Sequence, residues 1–345
     1  MENTFWIWYP GDFELYHAMK QNFSRVERGF GWPAFWKSEG FRNRVAFRRT
    51  YELEQETSFT VFSNAIGHVL VTRENGEKKY PFGKKITVAP GKVRISIHAG
   101  CVEAFPCAYV QGEVIHSDKT WKAEDYSQPL VPVGVCKYFT KPGQNPTVWE
   151  YTEKECKPVK ISEINGGVLA EFETELTVYV KSKRSNCVDS TSEDEDLEVF
   201  CGESEDEALD LEHCYYSWQP NPVTNRCPCC AVRFAFIPNC KAEDVEITAF
   251  YQYVDFPKRA SFKCNDEKLN KIWEVAEHTF RLCSGIFFLD GVKRDKWIWS
   301  GDAYQRFFVN QYLLADPDID QRTLLALRGN DPMTRHINTI MDYSL

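Results

Sequence analysis

The sequence predicts a multidomain protein in which antiparallel β-sandwich domains are followed by a helical region. From about residue 43, segments of alternating hydrophobicity follow one another with turn residues between them, which is typical of antiparallel strands. From about residue 262 the apolar spacing changes to three and four residues, which is typical of amphipathic helices. Aromatic residues make up 14% of the 345 positions, and this abundance favours β-rich cores.

Residues 1–130 are predicted to form an N-terminal segment and the first β-sandwich. The aromatic-rich stretch 5–20 carries apolar residues at both strand and helix spacings, so its secondary structure stays open, and we expect it to dock the N-terminus. Six strand-like segments then follow along the chain: VAFRRTYEL (45–53), SFTVFSNA (58–65), HVLVTREN (68–75), KITVAP (85–90), VRISIHAG (93–100) and AYVQGEVIHS (108–117).

Residues 131–258 are predicted to form a second β-sandwich, reached through the proline-containing connection KAEDYSQPLVPVG (122–134). Its acidic stretch SEDEDLE (192–198) is interpreted as a solvated surface loop. The following GESEDEALDLEHCYY (202–216) fits either a short helix or a loop with carboxylates in water. The strand-like segments of this domain are VLAEFETELTVYVKS (168–182), RFAFIP (233–238) and DVEITAFYQYVDF (244–256).

Residues 259–345 are predicted to be a series of short helices. Asn265 is the expected N-cap of the first helix, Gly285 ends it, and Ser300 caps the next. Asp316 and Asp331 each precede a proline, which predicts two further helix starts. The apolar positions of the first helix recur at three- and four-residue steps: Leu269, Ile272, Trp273, Ala276, Phe280 and Cys283.

The composition narrows the partners and the compartment. A net charge of −9 argues against nucleic acid as the main partner. The start, MENTFWIWYP, has no basic residue before a short apolar run, and no window approaches the length of a membrane span, so neither a signal peptide nor a membrane partner is expected. Thirteen cysteines, an odd number, then indicate reduced thiols in a cytoplasmic protein.

One cysteine group has some features of a metal site. His213 and Cys214 precede the CPCC of residues 227–230 at a spacing that could close a zinc site, but two regular CxxC knuckles are lacking. Buried thiols acting as small hydrophobes are the favoured interpretation, although the sequence leaves zinc binding by CPCC open. We therefore expect neither a metal nor a cofactor.

The stretch LDGVKRDKWIWSGDAYQ, residues 289–305, carries the candidate chemistry. It combines three carboxylates, three cations and two indoles within a glycine-punctuated loop, which suits the binding and cleavage of a neutral polyol such as a sugar. A purely structural alternative is that the cations pair with the carboxylates and that the last aspartate only stabilises the start of a helix. The residues concerned are Asp290, Lys293, Arg294, Asp295, Lys296, Trp297, Trp299 and Asp302.

The motif DGVKRDKWIWSGD resembles the signature of the bacterial α-L-rhamnosidases of glycoside hydrolase family 78. FWIWYPGDFE near the start, GES-x-x-EALD at 202–210 and the helix after Asn265 fit the same family. The resemblance implies β-sandwich domains ahead of an (α/α)₆ barrel, of which residues 259–345 would be the first helices. It also implies an inverting hydrolase whose partner is a rhamnose-containing glycoside or oligosaccharide; the oligomeric state is not indicated.

The resemblance also implies roles for the loop residues. Asp295 matches the general acid that protonates the glycosidic oxygen. Asp290, Arg294 and Asp302 match positions that hold rhamnose, and Trp299, with Trp297 beside it, lines the sugar pocket. Many members have glutamate at the acid position. The neighbouring cations favour a lowered pKa for Asp295, whereas Asp290, Asp302 and desolvation against tryptophan favour a raised one, so Asp290 is kept as an alternative acid.

The second carboxylate of an inverting hydrolase comes from much later in the family's barrel. We therefore expect the chain to be an N-terminal portion of a longer enzyme that lacks its general base. Two alternatives stay open. The chain could be a carbohydrate-binding β-sandwich protein with a vestigial, inactive helical portion, or it could belong to an (α/α)₆ hydrolase that acts on another sugar.

Overall fold

A computed structural model of the chain describes residues 4–23, 41–126, 129–184, 198–218, 226–227, 229–293 and 296–328. The chain divides into two units. The first consists of Met1–Trp149, Trp297–Phe308 and Asp316–Leu345, and the second of Glu150–Lys296 and Val309–Ala315. The predicted division at residues 130 and 258 stays a prediction.

The first unit contains two antiparallel sheets. Four strands follow the order β1-β8-β3-β6 in one sheet, and six follow the order β10-β9-β2-β7-β4-β5 in the other. The strands are β1 (Ile7–Trp8), β2 (Arg44–Leu53), β3 (Thr57–Ser63), β4 (Ile66–Arg73), β5 (Gly76–Tyr80), β6 (Ile86–Val88), β7 (Gly91–Gly100), β8 (Cys107–Gly112), β9 (Lys122–Glu124) and β10 (Val131–Pro132).

Both sheets contribute to a single apolar core, which makes the first unit a β-sandwich. Alternate residues of β7, among them Ile95 and Ile97, point inward from the six-stranded sheet, and Phe59 and Val61 of β3 do so from the other. The alternation predicted from residue 45 onward is therefore confirmed. Strand β5 was missed because its sequence, GEKKY, has almost no apolar residue.

One segment of the first unit differs from expectation, and the secondary structure of another, which the sequence left open, is now defined. The predicted connection at 122–134 contains β9 and β10, which pair with each other and extend the six-stranded sheet. The N-terminal stretch forms β1 and then α1 (Asp12–Phe23). In α1, burial lowers the pKa of His17 to about 4, so the neutral ring donates from Nε2 to the Pro146 carbonyl at 2.8 Å.

The second unit is built on one seven-stranded antiparallel sheet rather than on two separate sheets. Strand β13 is long enough to pair with several neighbours, and a bulge between Glu171 and Leu176 shifts its register. Apolar residues are buried on both faces of this sheet, with Val168 and Ala170 in one cluster and Leu169 and Phe236 in another. The strands of the sheet are β11 (Thr152–Cys156), β12 (Lys160–Ile164), β13 (Gly167–Arg184), β14 (Val199–Gly202), β15 (Tyr216–Trp218), β16 (Cys230–Pro238) and β17 (Val245–Tyr253).

Three helices follow the sheets, as predicted: α3 (Glu267–Leu282), α4 (Ser300–Leu313) and α5 (Pro317–Arg328). The short helix α2 (Glu205–Leu209) lies between β14 and β15. The stretch at 202–216 thus forms a helix rather than a loop. Asp316 caps α5 by accepting from the Asp318 amide at 3.0 Å, as its place before Pro317 predicts. The predicted helix after Asp331 and the acidic stretch 192–197 lie outside the described residues.

Two details of α3 correct the sequence-based expectation. The N-cap is Asp266 rather than Asn265, because the Asp266 carboxylate accepts from the amides of Lys268 and Leu269 at 2.9 and 3.3 Å. The apolar positions are also split: Phe280 and Cys283 are buried, but Leu269 and Ile272 are exposed. Within the described residues, no helix is long and apolar enough to cross a membrane.

Candidate active site

The candidate loop begins where α3 ends, and the chain is held tightly there. The Ser284 hydroxyl donates to the Phe280 carbonyl at 2.6 Å, and the Leu289 amide donates to the Cys283 carbonyl at 3.0 Å. Phe288 is buried, and its ring lies 5.5 Å from that of Phe280. The end of α3 therefore anchors the chain directly before Asp290.

Lys293 joins this loop to the acidic motif at 202–210. Its Nζ lies 2.6 Å from Oε1 of Glu207 and 3.1 Å from Oε2 of Glu203. The exposed fractions of the three side chains are 23% for Lys293, 19% for Glu207 and 39% for Glu203, so water screens the pairs only partly. Two motifs about 90 residues apart thus meet in one ionic cluster, which we call the Lys293 clasp.

The start of α2 sets the position of Glu207. Ser204 is the N-cap and accepts from the Glu207 amide at 3.2 Å, while Oε2 of Glu207 accepts from the Glu203 amide at 3.1 Å. This reciprocal arrangement resembles a capping box. It leaves Oε1 of Glu207 for Lys293, so the serine-to-glutamate spacing of the motif both starts the helix and positions the carboxylate.

Tyrosines of the second unit hold the same loop from another side. The Tyr216 hydroxyl donates to the Lys293 carbonyl at 2.8 Å, which fixes the backbone as well as the side chain. The Lys296 ammonium lies 4.9 Å from the centroid of the Tyr216 ring, and that of Lys293 lies 5.7 Å from the Tyr215 ring. The loop backbone is therefore anchored immediately before Arg294.

Glu175 adds a third carboxyl group to the clasp. Burial, a hydrogen bond with Glu203 and the charge of Glu203 raise the pKa of Glu175 to about 7, against the opposing effect of Lys293. Burial lowers the pKa of Lys293, but the ion pairs with Glu207 and Glu203 outweigh it and raise that pKa overall. The cluster thus combines a fixed cation with an acid that exchanges its proton near neutral pH.

Helix α3 is tied to the strand that carries Glu175. His278 Nε2 lies 2.7 Å from the Glu175 carbonyl oxygen and 3.3 Å from the Thr174 hydroxyl. These residues lie in the bulged part of β13, where the ladder is interrupted and a backbone carbonyl needs another partner. The bulge therefore positions both α3 and the acid of the clasp.

The predicted site residues are distributed over the two units. Asp290 is half-buried and belongs to the second unit. Trp297, Trp299 and Asp302 belong to the first: Trp297 is fully buried, Trp299 is half-buried, and Asp302 lies in the first turn of α4. Their predicted contacts with a sugar stay predictions.

The remaining two predicted site residues are Arg294 and Asp295. Both lie outside the described residues. The assignment of Asp295 as the general acid, with Asp290 as its alternative, therefore stays a prediction as well.

The cysteine group lies mostly within the sheet of the second unit. Cys227 and Cys230 are buried, and burial raises the pKa of Cys227 to about 12, so its thiol stays protonated. The ring of His213 is exposed and contacts Asp210 at 3.2 Å. Over the described residues, no set of three or more histidines, cysteines or acids has metal-binding geometry, and the twelve cysteines described are free thiols.

The sequence places Lys293 in the candidate loop but does not indicate its carboxylate partners. The stretch that carries Glu203 and Glu207 fits either a short helix or a loop with its acids in water, and Glu175 lies within a predicted strand. The signal that could have found two of them was present, because GES-x-x-EALD and DGVKRD were both noted as matching one family. Two motifs of one family are natural candidates for mutual contact.

Half of the chain matches a known family. The match is to the family described as "Alpha-rhamnosidase-like, bacteroidetes, N-terminal", and it covers residues 45–217, which is half of the chain. This range includes the first β-sandwich except β1, and the clasp residues Glu203 and Glu207. The chain therefore belongs to the alpha-rhamnosidase-like N-terminal family of the Bacteroidetes, and is thus related to glycoside hydrolases.

Solved structures similar to the chain include two bacterial enzymes and a fungal one. Against the α-L-rhamnosidase of Dictyoglumus thermophilum the identity is 14% and the TM-score 0.40, with 83% of this chain and 41% of that chain covered. Against the Streptomyces avermitilis α-L-rhamnosidase complexed with L-rhamnose the identity is 12% and the TM-score 0.40, with 84% of this chain and 36% of that chain covered. Against the Aspergillus terreus α-L-rhamnosidase the identity is 13% and the TM-score 0.38, with 84% of this chain and 43% of that chain covered.

The chain spans about two fifths of the length of these enzymes. A comparison with curated proteins finds no match.

Proposed function

We propose that this chain is the N-terminal part of a glycoside hydrolase that removes terminal non-reducing α-L-rhamnose from glycosides. The observation that carries the proposal is the family match over residues 45–217, which is followed in the same chain by the acid-rich loop DGVKRDKWIWSGD. The helices from residue 259 onward would then be the first helices of an (α/α)₆ barrel. The partner would be a rhamnose-containing glycoside or oligosaccharide.

In the proposed mechanism Asp295 is the general acid and donates its proton to the departing glycosidic oxygen. Asp290, Arg294 and Asp302 bind the hydroxyl groups of the sugar. The indole of Trp299 supplies an apolar wall, which suits rhamnose because it carries a methyl group; Trp297, which is fully buried, would support that wall without touching the sugar. A water activated by a second carboxylate attacks from the opposite face and inverts the anomeric carbon. That base would come from later in the barrel.

The Lys293 clasp supports this assignment by anchoring the loop two residues before Asp295. Catalytic groups need to be held within a fraction of an ångström of their productive position. Lys293 is held through its ammonium by two carboxylates and through its carbonyl by Tyr216. In this proposal the sheet of the second unit is the support that positions the catalytic loop.

Turnover of an aryl α-L-rhamnoside by the complete protein tests the proposal. We expect Asp295→Asn to lower kcat by about 10²–10⁴-fold, because general acid catalysis contributes a factor of that size. Asp206→Asn is the matched control: this acid lies in the first turn of α2, outside the proposed binding and catalytic residues, and its replacement should leave turnover unchanged.

Other outcomes of the same assay distinguish the alternatives. An unchanged rate in Asp295→Asn together with a collapse in Asp290→Asn would assign the acid role to Asp290. Calorimetric binding of free rhamnose without any turnover would favour a carbohydrate-binding protein with an inactive helical portion. Turnover of a different glycoside would favour a hydrolase of another sugar specificity.

A further inference from the structure

A cavity of about 540 Å³ lies against the six-stranded sheet of the first unit, which is large enough for a sugar residue. Strand alternation explains its place. In β7 the residues Ile97 and Ala99 point into the core, so His98 and Gly100 belong to the outer face. Gly100 pairs with Arg44 of β2 on one side and with Ile66 of β4 on the other.

Small residues form the floor of this cavity. Gly100 has no side chain to fill the space between its two neighbours, and a Cβ added there would meet only ordinary contacts, the nearest at 3.5 Å from the Asn43 carbonyl oxygen. In the next row Ala46 stands beside His98, and His98 stands beside His68. The gap on the sheet surface therefore results from the strand register, which places the small residues Gly100 and Ala46 on this face.

Three parallel rings form one wall. The rings of His68 and His98 are stacked at 5.1 Å with an interplanar angle of 14°, and those of His98 and Tyr126 are 6.0 Å apart at 24°. His98 Nδ1 lies 2.7 Å from the Tyr126 hydroxyl. Tyr126 has a φ of +67°, a strained conformation for a non-glycine residue that recurs at ligand-binding positions.

The hydrogen bonding of His98 is incomplete. Burial and the charge of Arg48 lower the pKa of His98, and the ring uses Nδ1 for its hydrogen bond with the Tyr126 hydroxyl. The other ring nitrogen is Nε2. This nitrogen is buried and has no hydrogen-bond partner within the described part of the chain. A buried polar atom without a hydrogen-bond partner is uncommon in a folded protein.

Most charged side chains around the cavity are already paired, and Arg42 is shared between Asp125 and the buried Asp12. Asp125 is paired with Arg42 at 2.8 Å, and Arg48 is paired with Glu124 at 2.7 Å. Arg44 differs, because among the described residues its guanidinium forms neither an ion pair nor a hydrogen bond. A guanidinium fork binds a carboxylate through two parallel hydrogen bonds.

We propose that this cavity binds a hexuronic acid, the carboxylate-bearing form of a sugar, as a residue of an acidic glycan. Arg44 would hold the carboxylate. The Tyr126 hydroxyl and the imidazole of His68 would bind ring hydroxyls, and Ile66, which is 89% exposed, would contact the C–H face of the sugar. The proposal does not depend on the hydrolase activity proposed above.

Titration of the full chain with glucuronate and galacturonate, followed by NMR of the histidine side chains, tests the proposal. We expect saturable shifts at His68 and His98. Arg44→Gln should weaken binding by about tenfold or more, since it removes the charge-assisted pair. Gly100→Leu should abolish binding by filling the floor. Arg94→Gln is the matched control, because Arg94 points from the same face of β7 but does not line the cavity.

Four outcomes would overturn the proposal. They are the absence of saturable binding by either hexuronate, equal binding by Arg44→Gln and the unmodified chain, equal binding of neutral glucose or rhamnose, and equal binding of acetate. The third would remove the need for a carboxylate, and the fourth the need for a sugar ring. Circular dichroism of each variant establishes that it is folded before it is compared.

Discussion

Replacing Lys293 by methionine tests whether the clasp stabilises the second unit. The substitution keeps most of the side-chain length but leaves Glu203 and Glu207 without their cation. Exposed ion pairs contribute about 0–1 kcal/mol, whereas breaking a buried pair on one side costs about 3–5 kcal/mol. Because Lys293 and Glu207 are about one-fifth exposed, we expect a loss of about 1–3 kcal/mol in the free energy of unfolding.

A double-mutant cycle isolates the pair itself. Unfolding in urea, followed by circular dichroism near pH 7.5, is measured for Lys293→Met, Glu207→Gln and the double variant. Glutamine retains an oxygen that can still accept from the Glu203 amide, so the start of α2 is preserved. We expect a coupling energy of about 1–2 kcal/mol between the two residues, within the range found for contacting groups.

The ion pair between Lys271 and Glu274 on α3 is the matched control. Its atoms are 3.3 Å apart, but its side chains are 74% and 65% exposed, so its coupling energy should stay below about 0.5 kcal/mol. If the coupling between Lys293 and Glu207 were no larger than that of this exposed pair, the inference that the clasp anchors the loop would be refuted.

Two further predictions concern the same unit. Because the pKa of Glu175 is raised from 4.5 to about 7 in the folded state, its stabilising contribution is complete below about pH 4.5 and is lost as the pH rises through 7. Because Glu175 is about half exposed, the expected loss in the free energy of unfolding is discounted to about 1–2 kcal/mol. In urea unfolding between pH 5 and 8, this free energy should decline less with pH in Glu175→Gln than in the unmodified chain. An identical decline in both would contradict this. In thermal unfolding, Asp266→Ala should lower the stability by about 1 kcal/mol, as for other N-caps, whereas Asn265→Ala should leave it nearly unchanged. A larger loss in Asn265→Ala than in Asp266→Ala would indicate that Asn265 is the cap.

The order of strands and helices was largely predictable because most of them have one apolar face in the core and one polar face in solvent. Segments such as VRISIHAG alternate between core and solvent, so the pattern alone identifies β7 (Gly91–Gly100). The strands that were missed include β5 (Gly76–Tyr80) and β11 (Thr152–Cys156), whose residues are mostly exposed at sheet edges. Such strands are held by backbone hydrogen bonds, which leave no hydrophobic pattern in the sequence.

The chemistry of the candidate site was less predictable, because it depends on contacts between distant residues. The loop composition identified acids and cations, but not that Lys293 pairs with residues about 90 positions away. The raised pKa of Glu175 arises from burial and from Glu203, and neither is visible in the local sequence. The cap at Asp266 was missed by one position, since asparagine and aspartate cap equally well and only the backbone decides between them.

The stereochemistry of the first product tests the central proposal most directly. Proton NMR of the complete protein acting on an aryl α-L-rhamnoside resolves the anomeric signals before mutarotation mixes them. The proposal predicts that β-L-rhamnose accumulates first, because inversion by two separated carboxylates changes the anomeric configuration. Initial release of α-L-rhamnose, or no release of rhamnose at all, would contradict it.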